Sequence, residues 1–303
     1  MKRLVSGLFV LITFTLQAQN INLEFKPVKG VEYPIFLEVN QSTTLRVPMM
    51  GDMVTESDQV LEAVITLEEE TEQGYVIEAC LTRITLRTSA QGQTKVYDSE
   101  GEDVMSLAIR SLMGKPFRMV VSPKGYVLEQ LPVPEGMFDA ADSTLATQYA
   151  RRRRGTAMEE IKAIFREATI KSVVESGLTK FPDRALGVPS VWTEEDASEE
   201  LGALVTMQQR LTAIEGNHAF LTANMVIMSD PNAKKQEGPQ RIENISGSGQ
   251  ATATIDTHSG WVVESEGTQS LKGDFVIEQG GMVQAIDMVM EVKTKVSSTE
   301  RRQ

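Results

Sequence analysis

The chain has one cysteine, Cys80, so no intrachain disulfide can form and its stability must come from burial. It has two histidines, His218 and His258, and no H-E-x-x-H pattern to bring them onto a metal. A Gly-x-Ser-x-Gly elbow, a P-loop and a dinucleotide fingerprint are all missing; GSGQ at 247–250 lacks the strand-to-helix context and reads as a turn. Basic residues are outnumbered 30 to 42, a net charge of -12, which argues against nucleic acid and against electrostatic docking on anionic lipid. These absences lead us to expect no catalytic residue, no metal site and no cofactor.

Long apolar runs are also scarce. The run from Leu4 to Leu16 falls short of the ~20 residues a membrane helix needs. Lys2 and Arg3 precede it and the small Ala18 follows, the pattern of a secretory signal peptide over 1–18, with Leu16 an imperfect match three residues before the cut. No cysteine follows the run, so a lipid anchor on a new N-terminal Cys is not expected. The expected location is the periplasm or the exterior, with no membrane span after removal of the leader.

What the chain does have is alternation. Tyr33, Ile35, Leu37, Val39, Gln41, Thr43, Leu45 and Val47 oppose Phe36, Glu38, Asn40, Ser42, Thr44 and Arg46, one covered face and one wet face of a long strand or of two strands bent near Asn40 to Ser42. A second strand carries Leu61, Ala63, Ile65 and Leu67. In a third, the apolar parity of Ile77, Ala79 and Leu81 switches to Ile84 and Leu86, which places a β-bulge near Thr82 and Arg83. The period then becomes helical: Val104, Met105, Ala108, Ile109 and Leu112 share a face and Gly114 ends it. A longer helical stretch, Ser143 to Ser176, has the stripe Met158, Ile161, Ile164, Phe165 and Ala168, and Gly177 as its stop.

MVVSPKGYVLE at 119–129 is echoed by TIDTHSGWVVE at 254–264, with Gly125 matching Gly260, Tyr126 matching Trp261 and Glu129 matching Glu264. Alternating Ala219, Leu221, Ala223, Met225 and Ile227, then Ala251, Ala253 and Ile255, fill the later part. It closes with Ile286, Met288, Met290, Val292, Thr294 and Val296 opposite Asp287, Glu291, Lys293 and Lys295. The reading is α+β, mainly antiparallel β: two divergent, curved β-meander repeats over 19–135 and 181–303, a helical connector at 136–180, and amphipathic helices packed on the sheets.

KGVEY (29–33), the Met50-Gly51 turn, TEQGYVIEACLTRI, MSLAIRSLMGKPFRMVVSPKGYVLE, FPDRALGVPSVW and ATIDTHSGWVVESEGTQ together resemble an exported bacterial β-rich family known only as a domain of unknown function. That resemblance implies a mostly antiparallel exported protein and carries no activity or catalytic residue with it.

Remaining features have ordinary explanations. Asp256 is expected to accept N–H bonds in its own turn, and Cys80, sharing a face with Glu78 and Thr82, reads as a lone half-buried thiol. Arg151 to Arg154 offers a polyanion contact or a processing site, but the acidic remainder favours a solvated helix end answered by Glu159 and Glu160. EEETE at 68–72 and TEEDASEE at 193–200 read as wet turns and a helix N-terminus. A curved sheet partly closed by a helix leaves an apolar groove. The residues expected to line it are Ile35, Leu37, Ile65 and Leu67 of the first sheet and Met225, Met282, Met288 and Met290 of the second, although methionines also fill ordinary cores. The functional expectation is a non-enzymatic exported protein whose partner is an apolar small molecule. The alternative is an envelope module that pairs with another envelope protein.

Overall fold

The computed structural model describes residues 20–198, 202–233, 240–279 and 282–299; the expected leader lies outside them. Among the described residues twelve strands dominate: β1 Glu32–Val47, β2 Gly51–Glu70, β3 Tyr75–Ala90, β4 Gln93–Asp98, β5 Pro116–Val121, β6 Val127–Gln130, β7 Ser190–Ser198, β8 Ala203–Glu215, β9 His218–Ser229, β10 Gln240–Asp256, β11 Val262–Gln279 and β12 Met282–Ser297. Four helices accompany them: α1 Val104–Arg110, α2 Asp139–Ala146, α3 Arg151–Ile164 and α4 Glu167–Ser176.

All twelve strands belong to one antiparallel sheet, in the order β6-β5-β3-β2-β1-β12-β11-β10-β9-β8-β7, with β4 paired to the far half of β3. The two stretches read as separate meanders are therefore joined directly, β1 to β12, through a register that includes Leu37 opposite Val296 and Leu45 opposite Met288. Followed from β1 the meander runs through β6; followed from β12 it returns through β7. The chain-order neighbours β6 and β7 are the two ends of that path, and the segment carrying α2, α3 and α4 spans the gap between them.

The two halves differ in detail. The excursion through β4 and α1 interrupts the first and has no counterpart among the described residues of the second. Both echoed turns place glycine in the left-handed region, Gly125 at φ 81° and Gly260 at φ 70°. The first loop closes Ser122 onto Tyr126 and the second, one residue longer, closes Asp256 onto Trp261. Asp256 Oδ1 accepts from the N–H groups of His258 and Ser259 at 2.7 and 3.0 Å, as its turn position requires.

Alternation sets the faces as expected. β1 is one unbroken strand, and in the β2–β3 ladder Glu62 faces Arg83 while Ala63 faces Leu81, so Thr82 is the extra residue of a bulge. The inner face of the lower sheet packs with the helices into one core that includes Ile35, Ile65, Ile77, Leu211, Ile255, Val174 and Trp261. Burying each large side chain contributes about 1.5–3 kcal/mol, so this cluster dominates the stability. A second, smaller cluster, Ala203, Ile227, Ile245 and Leu271 with Met225 and Met290 against it, sits higher on β8 to β12. The segment around Leu23 and Phe25 closes the lower end: Phe25 N–H bonds the Pro123 carbonyl, and its ring meets Tyr75 edge-on at 5.6 Å.

Four sequence expectations are corrected. GSGQ at 247–250 is not a turn but lies inside β10, paired on both sides. The helical stretch from Ser143 to Ser176 is three helices, because the chain leaves helical geometry after Thr147, with Ala150 extended, and again at Phe165 and Arg166; α4 then starts on a new azimuth, with Ile170, Val173 and Val174 buried and Ala168 exposed. The acidic run from Thr193 to Ser198 is not a helix N-terminus but most of the edge strand β7, and Glu68 to Glu70 end β2 rather than forming a turn. The arginine run is answered by Asp142, 3.3 Å from Arg154, and by the Tyr149 ring under Arg153; Glu160 instead holds Lys95 and Tyr97, and Glu159 holds Lys162. α1 starts where it was expected, because the Asp103 side chain accepts from the N–H groups of Met105 and Ser106.

Candidate functional site

The seam between the two edges has its own chemistry. Tyr126, at the foot of β6, donates its hydroxyl proton to Glu194 Oε2 of β7 at 2.5 Å. Between them runs the segment after α4: Phe181 N–H bonds the Lys124 carbonyl, and the Lys180 carbonyl accepts from Trp192 Nε1 at 3.1 Å and from Gln209 Nε2 at 3.3 Å. The Lys180 ammonium pairs with Asp196 and lies 5.3 Å from the centroid of the Tyr126 ring.

Above this seam, a cavity of 310 Å³ opens between the C-terminal end of α4 with residues 178–180 and the inner face of β7 to β11. Pairing explains its lining. On β7, Trp192, Glu194 and Asp196 share one parity and lie opposite Gln209, Met207 and Val205 of β8. Those in turn lie opposite Ala223, Met225 and Ile227 of β9. Leu178, Val205, Met207, Leu221, Ala223 and Ala251 make an apolar floor, while Glu175, Glu194, Asp196 and Lys180 supply the charge.

Burial pushes the Glu175 carboxyl above its ordinary value, against the pull of Lys171 and Lys180 and helped by Asp196; Lys171 Nζ is 3.9 Å from it. Burial first, and then donation to Glu194, pushes the Tyr126 phenol up, so it remains a hydrogen-bond donor at neutral pH. Burial also raises the Cys80 thiol, reinforced by the charge of Glu78, which keeps it protonated. Among the described residues, no group of three or more His, Cys, Asp or Glu side chains could hold a metal ion. Both histidines are exposed.

The eight residues read from the sequence as ligand-lining fall elsewhere. Ile35, Leu37 and Ile65 are buried in the main core, Leu67 is buried further along β2, and Ile35 Cδ1 lies where a Cβ on Gly177 would meet it. Met225 and Met290 are brought together in the upper cluster, Met288 is buried nearby on β12, and Met282 is 77% exposed at the start of that strand. None of the eight is among the residues lining the 310 Å³ cavity. Sequence reasoning missed Glu194 and Asp196, although their shared parity with the anchoring Trp192 was the signal that they face inward.

Residues 72–262 match the model of a Family of unknown function (DUF6263). The chain belongs to that family. No curated protein matches it. Lipovitellin, in a structure concerned with its lipid–protein interactions, is 14% identical, covering 92% of this chain and 26% of its own, with a TM-score of 0.44. The chain thus spans about a quarter of lipovitellin's length. DynF from the dynemicin biosynthesis pathway of Micromonospora chersina is 8% identical, covering 93% of this chain and 86% of that one, at 0.20. An outer membrane channel from Pseudomonas putida F1 is 9% identical, covering 91% and 97%, at 0.23. Likenesses at these levels decide nothing about this family member's activity. Among the described residues, no helix is long and apolar enough to cross a membrane.

Proposed function

We propose that the chain is a non-enzymatic exported protein, periplasmic or secreted, that holds an apolar, lipid-like ligand on the inner face of its rolled sheet. The observation that carries this reading is the cavity between α4 and β7 to β11, with an apolar floor and a few charged groups at its margin, the usual composition of a small-molecule site. Its volume is near the lower end for such sites, roughly 300–1,000 Å³. Continuity with the upper cluster supports a longer occupant: Met207 in the floor lies opposite Met225, and Val205 lies opposite Ile227, so an apolar tail passing upward would reach the methionine-bearing face. Methionine adapts its shape at low cost, which suits a tail of variable length. Export is supported by the leader pattern at 1–18.

Native mass spectrometry of protein taken from its own host tests the reading, alongside Ala223→Trp, which fills the floor of the cavity. A co-purifying small mass that the variant loses is the expected result. An apo mass in both, with no uptake of an apolar dye, would overturn it. The alternative, an envelope module that pairs through an edge strand, rests on β6 and β7 being the two ends of the strand path. Cross-linking in intact cells separates the two, because it would trap a protein on β7 only in the second case.

A further inference from the structure

Resting on the binding reading above, we propose that the occupant of the α4–β7 cavity is a cationic amphiphile: an aliphatic body with an ammonium head seated among Glu175, Glu194 and Asp196. Three carboxylates line the cavity and a single ammonium, Lys180, accompanies them. Lys180 pairs directly with Asp196 and pulls on Glu175 only through space, and Glu194 accepts from the neutral hydroxyl of Tyr126, so one lining cation is shared among three carboxylates. Lys171 lies outside the lining and reaches Glu175 only at 3.9 Å.

The placement separates head from tail. Glu194 and Asp196 occupy β7, at the edge of the sheet, and Glu175 lies in the last turn of α4 across the cavity from them. The apolar floor recedes from that edge through Met207 and Leu221 to Ala251 and Ala253 of β10. A ligand entering by its tail would leave its head at the acidic margin. A carboxylate or phosphate head would there add a further negative charge to a net negative margin, whereas an ammonium would offset it. Burial already disfavours ionised Glu175, so a ligand cation beside it offsets that cost.

The test uses the full chain and three ligands of equal length, decylamine, decanol and decanoate, titrated calorimetrically below their micelle concentrations. The expected order is amine, alcohol, carboxylate, with the amine at least tenfold tighter than the carboxylate. Added salt should weaken the amine and leave the alcohol unchanged. In Glu175→Gln/Asp196→Asn the amine's advantage should fall to within about twofold while decanol affinity is retained; if that variant does not fold, Glu175→Gln alone should shrink the advantage. Decanol binding with no preference for the amine would overturn this inference and leave the apolar site standing. Failure of all three ligands to bind would overturn both.

Discussion

The hydroxyl of Tyr126 and the carboxylate of Glu194 lie 2.5 Å apart although they belong to opposite edges of an eleven-strand path. A sheet whose edges can touch is rolled almost into a tube, and here the last step is a side-chain hydrogen bond rather than a ladder of backbone bonds. Right-handed twist, the Thr82 bulge and small residues on the inner face, Gly247, Gly249, Ala251 and Gly267, permit that roll. The cavity exists because the roll is filled by helices only in its lower part.

Tyr126→Phe should loosen this seam without altering the core. A hydrogen bond to a charged acceptor contributes about 1.5–3 kcal/mol when buried, and partial exposure here puts the loss at the low end or below. Thermal denaturation should show a small decrease in Tm, and hydrogen exchange should quicken in β6 and β7 while the β1–β12 ladder is unaffected. Unchanged exchange at both edges would mean that the segment around Lys180 and Phe181 closes the seam alone.

Gly177→Ala should be costly for a reason that has nothing to do with backbone freedom. Gly177 caps α4 in a right-handed conformation, and a Cβ there would meet Trp261 Cζ2 at 2.6 Å, Cη2 at 2.7 Å and Ile35 Cδ1 at 3.0 Å. Trp261 cannot easily retreat, since it is buried against Phe25 and Tyr33. Overpacking of this kind costs about 1–3 kcal/mol. Urea denaturation should report a loss in that range, and Trp261→Phe in the same background should recover part of it, a coupling that independent sites would not give.

Much of the sheet was legible because alternation is a local signal. Tyr33 to Val47, the Thr82 bulge and the turns at Gly125 and Gly260 could each be read from a few neighbouring residues. The meeting of β1 with β12 could not, since Leu37 and Val296 are almost a whole chain apart and nothing local in either strand names its partner. The cavity was lost for a related reason. Glu194 and Asp196 look solvated in sequence; parity with Trp192 assigns their face, but what that face lines emerges only from their pairing with Met207 and Val205. Ile35 and Ile65 were read as groove residues because the sequence does not say where along a strand the helices end; α4 covers that part of β1 and β2.

Cys80 should behave as an inert thiol. The thiolate is the reactive species, and burial together with Glu78 raises the pKa of this side chain. Alkylation by iodoacetamide at pH 8 should therefore be slower in the folded protein than in guanidinium by roughly tenfold or more. Equal rates would show that the β3–β5 ladder, where Cys80 faces Pro116, opens readily in the native state.

Glu175 makes the pH dependence of stability specific. Its pKa is raised from 4.5, with burial the largest cause, Lys171 and Lys180 opposing and Asp196 adding to the rise. A carboxyl with a raised folded-state pKa binds its proton more tightly when folded. Its contribution is therefore fully present below the unfolded pKa and is lost as pH rises through the folded value. Glu175→Gln keeps the shape and removes the ionisation. The variant should be more stable than the parent at pH 7, and the difference should vanish as pH falls below 4.5, in paired denaturation curves across that range. A variant that is less stable at pH 7 would mean that the ion pair with Lys171 outweighs the desolvation of the carboxylate, and the cavity margin would then be satisfied without a ligand's charge.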